Sequence, residues 1–213
     1  MSKSSLELLT PKNCAVVLID HQPQMFFGVG SENRETILNN VVGLAKAAKI
    51  FNVPTILTTV AAKTFSGPLV PQVQEVFPNQ KPIDRTSMNS WEDSNFVAAV
   101  EKTGRKKLVI AALWTEVCLA FPALSAIQAG YEVYAVSDAS GATTVEAHNM
   151  AMQRMIQAGV IPITWVQFFC ELQRDWARTD TYEAVMNLAK EHAGAYGIGV
   201  NYAQAMLGHK QGG

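Results

Sequence analysis

The stretch Cys14-Ala-Val-Val-Leu-Ile-Asp20 decides how this chain folds. It is a continuous apolar run, too short for a helix and rich in β-branched residues, which is typical of a strand buried on both faces. Residues 37–48 then repeat apolar side chains at helical spacing, and residues 55–60 form a second apolar strand pattern. The order strand, helix, strand is the unit from which parallel sheets are built.

The alternation of strand and helix patterns continues through most of the remaining sequence. The later predicted elements are a helix near 92–102, a strand at 107–112, a helix at 115–129, a strand at 131–137, a helix at 144–158, a strand at 160–165, and helices at 167–176 and 180–193. Asp180 is the predicted cap of the last helix, because Glu183 follows three residues later. This order predicts an α/β fold, a doubly wound parallel sheet with helices on both faces.

The length of 213 residues suits one α/β domain, so we expect a single domain over 1–213. Two segments interrupt the alternation. Residues 61–90 form a long loop with four prolines, and long ordered loops in compact domains are often functional. The tail from about residue 194 is rich in glycine and loses periodicity, so we expect it to be irregular.

The composition argues against several kinds of partner. The formal net charge is −1, and the largest basic cluster, Arg105-Lys106-Lys107, is too small to track a phosphate backbone. No apolar stretch approaches the ~20 residues of a bilayer span, and the first residues lack the apolar core of a signal peptide. Three widely spaced cysteines predict neither a disulfide framework nor a paired-cysteine metal site. We therefore expect a cytoplasmic protein that binds neither nucleic acid nor membrane.

Cys118 follows the strand pattern Leu108-Val-Ile-Ala-Ala and lies just after Thr115, a natural helix N-cap. Free N–H groups and the helix dipole favour a thiolate in the first turn of a helix. The alternative is a buried structural cysteine, the commoner role of an isolated Cys in an apolar segment. Cys14 and Cys170 fit that alternative. We therefore expect Cys118 to react with iodoacetamide well ahead of the other two thiols.

Asp20 ends the first strand pattern, and Cys118 follows the strand at 107–112. Ligands of doubly wound sheets bind outside the carboxyl ends of the strands, where the strand order reverses. If these two strands are neighbours, a carboxylate and a thiol converge on one crevice. The alternative for Asp20 is a turn or helix cap, since Asp is common at such ends. No glycine-rich phosphate loop follows the first strand, so a nucleotide cofactor has no support.

Four segments resemble the isochorismatase-like cysteine hydrolases, a family that includes nicotinamidases and N-carbamoylsarcosine amidases. They are Val-Val-Leu-Ile-Asp20-His-Gln22-Pro-Gln-Met-Phe26, Arg85-Thr-Ser-Met-Asn-Ser-Trp91, Leu-Trp-Thr-Glu-Val-Cys118 and Val-Ser-Asp138-Ala-Ser-Gly. The resemblance extends from about residue 13 to about residue 176, and the Thr-Glu-x-Cys segment is its most specific part. It implies a three-layer sheet of about six parallel strands and a catalytic triad of Asp, Lys and Cys.

Two members of the implied triad fall on Asp20 and Cys118. Arg85 occupies the position usually held by Lys, which places the chain in the branch of the family with Arg there. Because arginine stays protonated and pairs with carboxylates through two hydrogen bonds, we expect Arg85 to keep Asp20 ionised and to make it a weaker proton acceptor. The resemblance also implies an oxyanion hole formed by the main-chain N–H groups of Trp114 and Cys118, next to a cis peptide bond at Leu113–Trp114.

The substrate pocket is predicted to be small and apolar. Phe26, Trp91 and Trp114 are candidates to line it, although aromatic residues near a core more often serve packing. Gln22 either contacts the ligand or ties down the turn beside Pro23.

We expect no metal and no other cofactor. Family members that bind a metal carry Asp and His after the second strand, whereas residues 58–66 of this chain contain neither. His148, His192 and His209 are isolated in the sequence, so surface or partly buried roles are favoured over metal ligation.

Together with the resemblance, these residues predict a cysteine hydrolase that acts on a small amide or related carbonyl substrate through an acyl-enzyme on Cys118. The alternative is a non-hydrolytic reactive-thiol protein on the same fold, which senses oxidants or electrophiles. Apolar residues outside the periodic elements, such as Phe65, Trp176 and several in the tail, indicate a partner surface. The resemblance implies closed homo-oligomers, so we expect a tetramer or octamer with contacts from the tail.

Overall fold

The structure is a computed structural model that describes residues 6–208 of the chain. Its strands are β1 (Cys14–Ile19), β2 (Thr55–Val60), β3 (Ile83–Arg85), β4 (Lys107–Ala112), β5 (Glu132–Val136) and β6 (Ile161–Ile163). All six pair in parallel in one sheet, in the order β3-β2-β1-β4-β5-β6. The predicted doubly wound α/β fold is therefore confirmed.

Nine helices of the described range surround this sheet. They are α1 (Pro23–Phe27), α2 (Arg34–Ile50), α3 (Pro71–Gln74), α4 (Ser94–Lys102), α5 (Ala120–Gln128), α6 (Val145–Gln157), α7 (Trp165–Gln173), α8 (Thr179–His192) and α9 (Ala195–Leu207). Parallel crossovers are right-handed, so the connections that step from β1 towards β3 and from β4 towards β6 place their helices on opposite faces.

β1 and β4 lie side by side at the centre of the sheet, and every residue of both strands is buried. Their pairing ends at Ile19 opposite Ala112. Asp20 and the segment that leads to Cys118 therefore leave the sheet at the same edge, where the strand order reverses. The condition on which the two side chains were expected to converge is met.

The segment 61–90 is not only a loop, which corrects the sequence-based expectation. It contains the short helix α3 and the edge strand β3. β3 was missed because it has only three residues and one of them, Asp84, is exposed, so it shows no apolar run. Its position next to β2 is what brings Arg85 to the centre of the molecule.

The tail expected to be irregular from about residue 194 forms the helix α9, which is a second correction. α9 packs closely on α8: a Cβ at Gly197 would collide with the carbonyl oxygen of Ala189. The glycines that hide the helical pattern in the sequence are thus what allows the close approach. α8 also begins differently from the prediction, because its N-cap is Arg178 and Asp180 lies inside its first turn.

Within residues 6–208, no helix is both long and apolar enough to cross a membrane. The buried hydrophobic side chains form a cluster that extends from Leu9 to Ala189. The expectations about the start of the chain and about His209 concern positions 1–5 and 209–213, which lie outside the described residues.

Two glycines of α9 provide a matched test of how this helix is docked. We expect Gly197→Ala to displace α9 from α8, because the new methyl group would meet the backbone of Ala189. A methyl group at Gly199 would meet nothing within 4 Å, so Gly199→Ala should stabilise α9 by roughly 0.5–1 kcal/mol through helix propensity. Thermal unfolding and limited proteolysis of the tail measure both effects. Equal responses of the two variants would contradict the packing described here.

Candidate active site

Asp20 and Arg85 form a bidentate ion pair at the carboxyl edge of the sheet. Arg85 Nη1 donates to Asp20 Oδ1 at 3.1 Å and Nη2 donates to Oδ2 at 2.8 Å. Nη1 also donates to the carbonyl of Thr59 at 3.3 Å. Both charged side chains are completely buried. The pairing expected between this carboxylate and this guanidinium is confirmed.

The backbone at Asp20 turns sharply as β1 ends. Its φ is 59°, in the left-handed region that Asp and Asn enter more readily than other non-glycine residues. The N–H of Asp20 still donates to Thr58 on β2 at 3.0 Å, while its carbonyl accepts from the N–H of Gln22 at 2.8 Å. The first helix after this turn, α1, has no side-chain cap, so the alternative role of Asp20 as a helix cap is not observed.

Cys118 lies in a π-helical turn, Thr115–Leu119, that precedes α5. The N–H of Leu119 donates to the carbonyl of Trp114, five residues earlier, at 3.2 Å. Pro122 explains the widened turn, because it has no N–H to donate to the carbonyl of Cys118. The N-cap of this turn is Trp114, which corrects the expectation that Thr115 caps the helix.

The three side chains of the implied triad meet in the structure. The Cys118 thiol is close enough to the Asp20 carboxylate for each group to influence the pKa of the other, and the charge of Arg85 acts on both groups. Burial raises the pKa of Asp20 to about 7, although Arg85 and the hydrogen bond with Cys118 oppose this rise. Arg85 thus lowers the pKa of Asp20 in the expected direction, while burial, which the expectation did not include, raises it.

Burial also raises the pKa of the Cys118 thiol well above its ordinary value, and the negative charge of Asp20 adds to the effect. A hydrogen bond from the backbone of Trp114 and the charge of Arg85 act in the opposite direction but are weaker. The expectation that Cys118 tends toward thiolate is therefore wrong for the resting protein. Desolvation, which a sequence does not show, outweighs the influence of the helix terminus.

The accessibility of the three thiols differs from the expectation as well. Cys118 is only 3% exposed, and Cys14 is fully buried with its pKa raised to about 12 by burial. Cys170 is exposed, although it was assigned to a buried face. Iodoacetamide should therefore reach Cys170 first, and experiments on Cys118 need a Cys170→Ser background.

Trp114 packs against α1, the short helix that carries Phe26. The indole Nε1 of Trp114 donates to the carbonyl of Met25 in α1 at 2.8 Å. Gly28 makes room for the indole, since a Cβ there would collide with the ring. Phe26 is buried on the same short helix. The peptide bond between Leu113 and Trp114 is cis.

The side chains of Gln22 and Trp91 are occupied by contacts within the protein, so neither is available to bind a ligand beside the thiol. Gln22 Oε1 accepts from the N–H of Val60 at 2.9 Å and its Nε2 donates to the carbonyl of Val60 at 3.1 Å, so it ties down the turn. The ring of Trp91 packs edge-on against Phe96 and Tyr131. Tyr131 directly precedes β5, at the opposite edge of the sheet, so we leave Trp91 out of the proposed site.

Sequence reasoning missed one contact of the π-helical turn that carries Cys118. His148 Nδ1 lies 2.9 Å from Thr115 Oγ1, and its Nε2 lies 3.1 Å from Ser137 Oγ. These residues are far apart in the sequence, and no motif connects them. Among the described residues, no group of three or more His, Cys, Asp or Glu side chains is placed to hold a metal ion.

Comparison with known proteins agrees with this fold. The isochorismatase domain matches residues 14–167. The probable hydrolase YcaC of Escherichia coli is 43% identical over 189 residues, which cover 88% of this chain and 90% of that protein. The chain therefore belongs to the isochorismatase family, and its relatives indicate the hydrolase class.

Two solved structures of relatives superpose closely on this chain. YcaC from Pseudomonas aeruginosa, solved with hexane-2,5-diol and covalent acrylamide, has a TM-score of 0.88 and 38% identity, covering 92% of this chain and 97% of its own. The YcaC gene product of Escherichia coli, described as an octameric hydrolase of unknown specificity, has a TM-score of 0.87 and 40% identity, covering 93% and 98%.

The ion pair predicts how the reactivity of Cys118 depends on pH. In a Cys170→Ser background, alkylation of Cys118 should accelerate as Asp20 loses its proton near pH 7, because only the ionised carboxylate accepts the thiol proton. Arg85→Ala removes the cation that lowers the Asp20 pKa, so the midpoint should rise by about one pH unit or more. Arg85→Lys keeps the positive charge, so it should shift the midpoint of the alkylation profile less than Arg85→Ala does.

Peptide mass mapping of the alkylated protein over a pH series gives the three midpoints. Because loss of one partner of a buried ion pair typically costs about 3–5 kcal/mol, circular dichroism must show that each variant is folded. Identical midpoints in all three folded proteins would place Arg85 outside the electrostatic control of the site.

Proposed function

We propose that this protein is a cysteine hydrolase of the branch with Arg85 at the triad Lys position. Cys118 is the nucleophile, Asp20 is the proton acceptor and Arg85 orients Asp20. The observation that carries the proposal is the buried set in which the Cys118 thiol contacts Asp20, which is itself held by two hydrogen bonds from Arg85. The hydrolase class of the relatives supports it.

The first chemical step transfers the thiol proton of Cys118 to Asp20, and the thiolate attacks the carbonyl carbon of the substrate. The transfer leaves the net charge of the site unchanged: Asp20 becomes neutral, the sulfur becomes negative, and Arg85 stays positive beside both. A carboxyl group with a pKa of about 7 accepts this proton more readily than an ordinary aspartate would. Arg85 thus has a counter-charge in the buried site both before and after the transfer.

The second step expels the amine and then water releases the acyl group. Asp20 returns its proton to the departing nitrogen as the carbon–nitrogen bond breaks. Asp20 then takes a proton from water, whose oxygen attacks the thioester, and the proton finally returns to the sulfur of Cys118. The main-chain N–H groups of Trp114 and Cys118 are the proposed oxyanion donors, and the backbone of Trp114 already forms a hydrogen bond with the thiol.

The proposed substrate is a small amide or a related carbonyl compound. Trp114, which lies four residues before Cys118, and Phe26, on the helix that contacts Trp114, are the apolar side chains proposed to contact the substrate. The Pseudomonas aeruginosa relative was solved with covalent acrylamide, which is a small amide. Because acrylamide alkylates thiols at its alkene carbon, this adduct supports a nucleophilic side chain in a site of this size in the present chain.

The alternative function is a reactive-thiol sensor on the same fold. The thiols of redox sensors have a low pKa and are accessible to solvent. Cys118 is 3% exposed and its pKa is raised by burial, so this site is poorly suited to reacting with oxidants from solution. The geometry therefore favours hydrolysis, in which a bound substrate meets a thiol activated by its own base.

The proposal also covers the cellular compartment and the domain organisation of the protein. All three cysteines are free, which suits a reducing compartment such as the cytoplasm. We also propose that residues 1–213 form a single domain, which needs no metal or cofactor and does not bind nucleic acid or membrane.

We further propose that the chain is a homo-oligomer, a tetramer or octamer, with α9 among the contacts. The Escherichia coli relative is described as octameric. α9 contains no charged residue, and its outer side chains Ile198 and Tyr202 are 72% and 65% exposed. An uncharged helix with large exposed apolar side chains is typical of a partner surface.

An acyl-enzyme can be trapped directly. We expect acid quenching of the Cys170→Ser protein shortly after addition of p-nitrophenyl acetate to leave an acetyl group on the peptide that contains Cys118, as measured by mass spectrometry. Cys118→Ser should lose the label, and Cys14→Ser should retain it, because Cys14 is buried away from the site. Labelling that persists without Cys118 would refute the assignment of the nucleophile.

The assembly can be measured by light scattering coupled to size-exclusion chromatography. We expect a mass of about four or eight times the 23.2 kDa of the chain, and a smaller mass after truncation behind Gly194, which removes α9. Ile198→Glu should weaken the assembly in the same direction without shortening the chain. A full-length mass near 23.2 kDa would contradict the oligomer, and an unchanged mass of both variants would remove α9 from the interface.

A further inference from the structure

The catalytic turn, the π-helical turn Thr115–Leu119 that carries Cys118, is connected to neighbouring segments through both polar groups of Thr115. Its N–H donates to the carbonyl of Gly141 at 2.8 Å, and its hydroxyl oxygen lies 2.9 Å from Nδ1 of His148. Thr115 is buried at the start of the π-helical turn, three residues before Cys118 and directly after Trp114. Its position therefore influences both the thiol and the proposed oxyanion N–H of Trp114.

His148 connects this turn to the next strand of the sheet. It projects from α6, and its second ring nitrogen, Nε2, lies 3.1 Å from the hydroxyl of Ser137, which directly follows β5. A neutral imidazole has one donor and one acceptor nitrogen, and a hydroxyl can match either of them. One side chain thus spans the carboxyl ends of β4 and β5 beneath the catalytic turn.

The surroundings of His148 suit a neutral ring. Burial lowers its pKa, while the carboxylates of Glu116 and Glu32 act in the opposite direction. Glu116 is itself held, since its Oε1 accepts from both the N–H and the hydroxyl of Thr143. The turn is therefore fixed to the segment before α6 at two adjacent residues, Thr115 and Glu116.

We propose that His148 is a positioning residue for the reaction: by holding Thr115, it sets the orientation of the turn that carries Cys118 and the N–H of Trp114. It touches neither the substrate nor the reacting atoms. The inference rests on the proposed cysteine chemistry for its catalytic meaning, but the contact it describes is tested independently of turnover. The bond from Nδ1 to Thr115 is the one that matters, because Ser137 lies on the far side of the ring.

The side chain of His148 can be replaced so that one of its two bonds is kept at a time. Asn places its amide near the position of Nδ1, and Gln places its amide near the position of Nε2. The quantity to measure is the rate at which acrylamide alkylates Cys118 in a Cys170→Ser background. His148→Ala should slow this alkylation about tenfold, because the buried hydroxyl of Thr115 loses its hydrogen bond to the ring. His148→Asn should restore most of the rate and His148→Gln should not.

Two further variants separate positioning from general destabilisation. Thr115→Val keeps the shape of the side chain but removes the hydroxyl, so it should reproduce the loss seen in His148→Ala. The double variant should be no slower than either single one, because both remove the same contact. His192→Ala is the matched control: this histidine contacts Asn39 on α2 instead, and its removal should leave the alkylation rate unchanged.

Hydrogen exchange of residues 115–119 and the thermal unfolding midpoint complete the test. We expect faster exchange of these amides in His148→Ala. The proposal is overturned if a folded His148→Ala protein alkylates Cys118 at the parent rate, or, should that variant not fold, if Asn and Gln at this position give the same rate. A parent protein that forms no acyl-enzyme but shows these effects would refute the hydrolase and leave the positioning role intact.

Discussion

The charges of Asp20 and Arg85 are removed from water together, and the candidate site is arranged around that constraint. Transferring an ion into a protein interior costs several kcal/mol even after relaxation, so each of the two charges is stabilised here by the presence of the other. Two parallel hydrogen bonds and a third to the carbonyl of Thr59 offset this cost. The strand order enforces the pairing, because Arg85 ends β3 and reaches past β2 to the end of β1.

The same burial determines the state of the thiol. Desolvation leaves Asp20 with a raised pKa and Cys118 with a higher one, so the proton rests on sulfur until a substrate is attacked. A neutral thiol enclosed in this way is a poor target for oxidants. Reactivity then depends on the position of the turn that carries Cys118, which contacts from Gly141 and His148 hold in place.

The sequence was sufficient to predict the central strands of the sheet and the candidate residues at their ends. Buried strands such as β1 and β4 leave continuous apolar runs, and the rule that sites lie where parallel strands end pointed to Asp20 and Cys118. Arg85 required the family resemblance, since β3 is too short to leave a pattern of its own. The protonation state of Cys118 was predicted wrongly for a physical reason: a helix terminus is visible in a sequence, whereas the burial that outweighs it is a property of the fold.

The remaining misses have similar causes. α9 was overlooked because glycine weakens a helical pattern, although Gly197 is needed for its packing on α8. The π-helical form of the turn at Cys118 was not predicted, because the way in which a helix accommodates Pro122 depends on the hydrogen-bond geometry around it. His148 acts through contacts with two residues distant in the sequence, and such contacts leave no local signal.

The protonation state of Asp20 itself provides the most direct test of the proposed chemistry. Difference infrared spectroscopy against Asp20→Asn isolates the protonated-carboxyl band of this residue between about pH 5 and pH 9. We predict a band that is present at the acidic end and disappears with a midpoint near pH 7, and that shifts to higher pH in Arg85→Ala. A carboxyl group that stays ionised down to the acidic end would contradict this mechanism, because Asp20 would then be too weak a base to take the proton of Cys118.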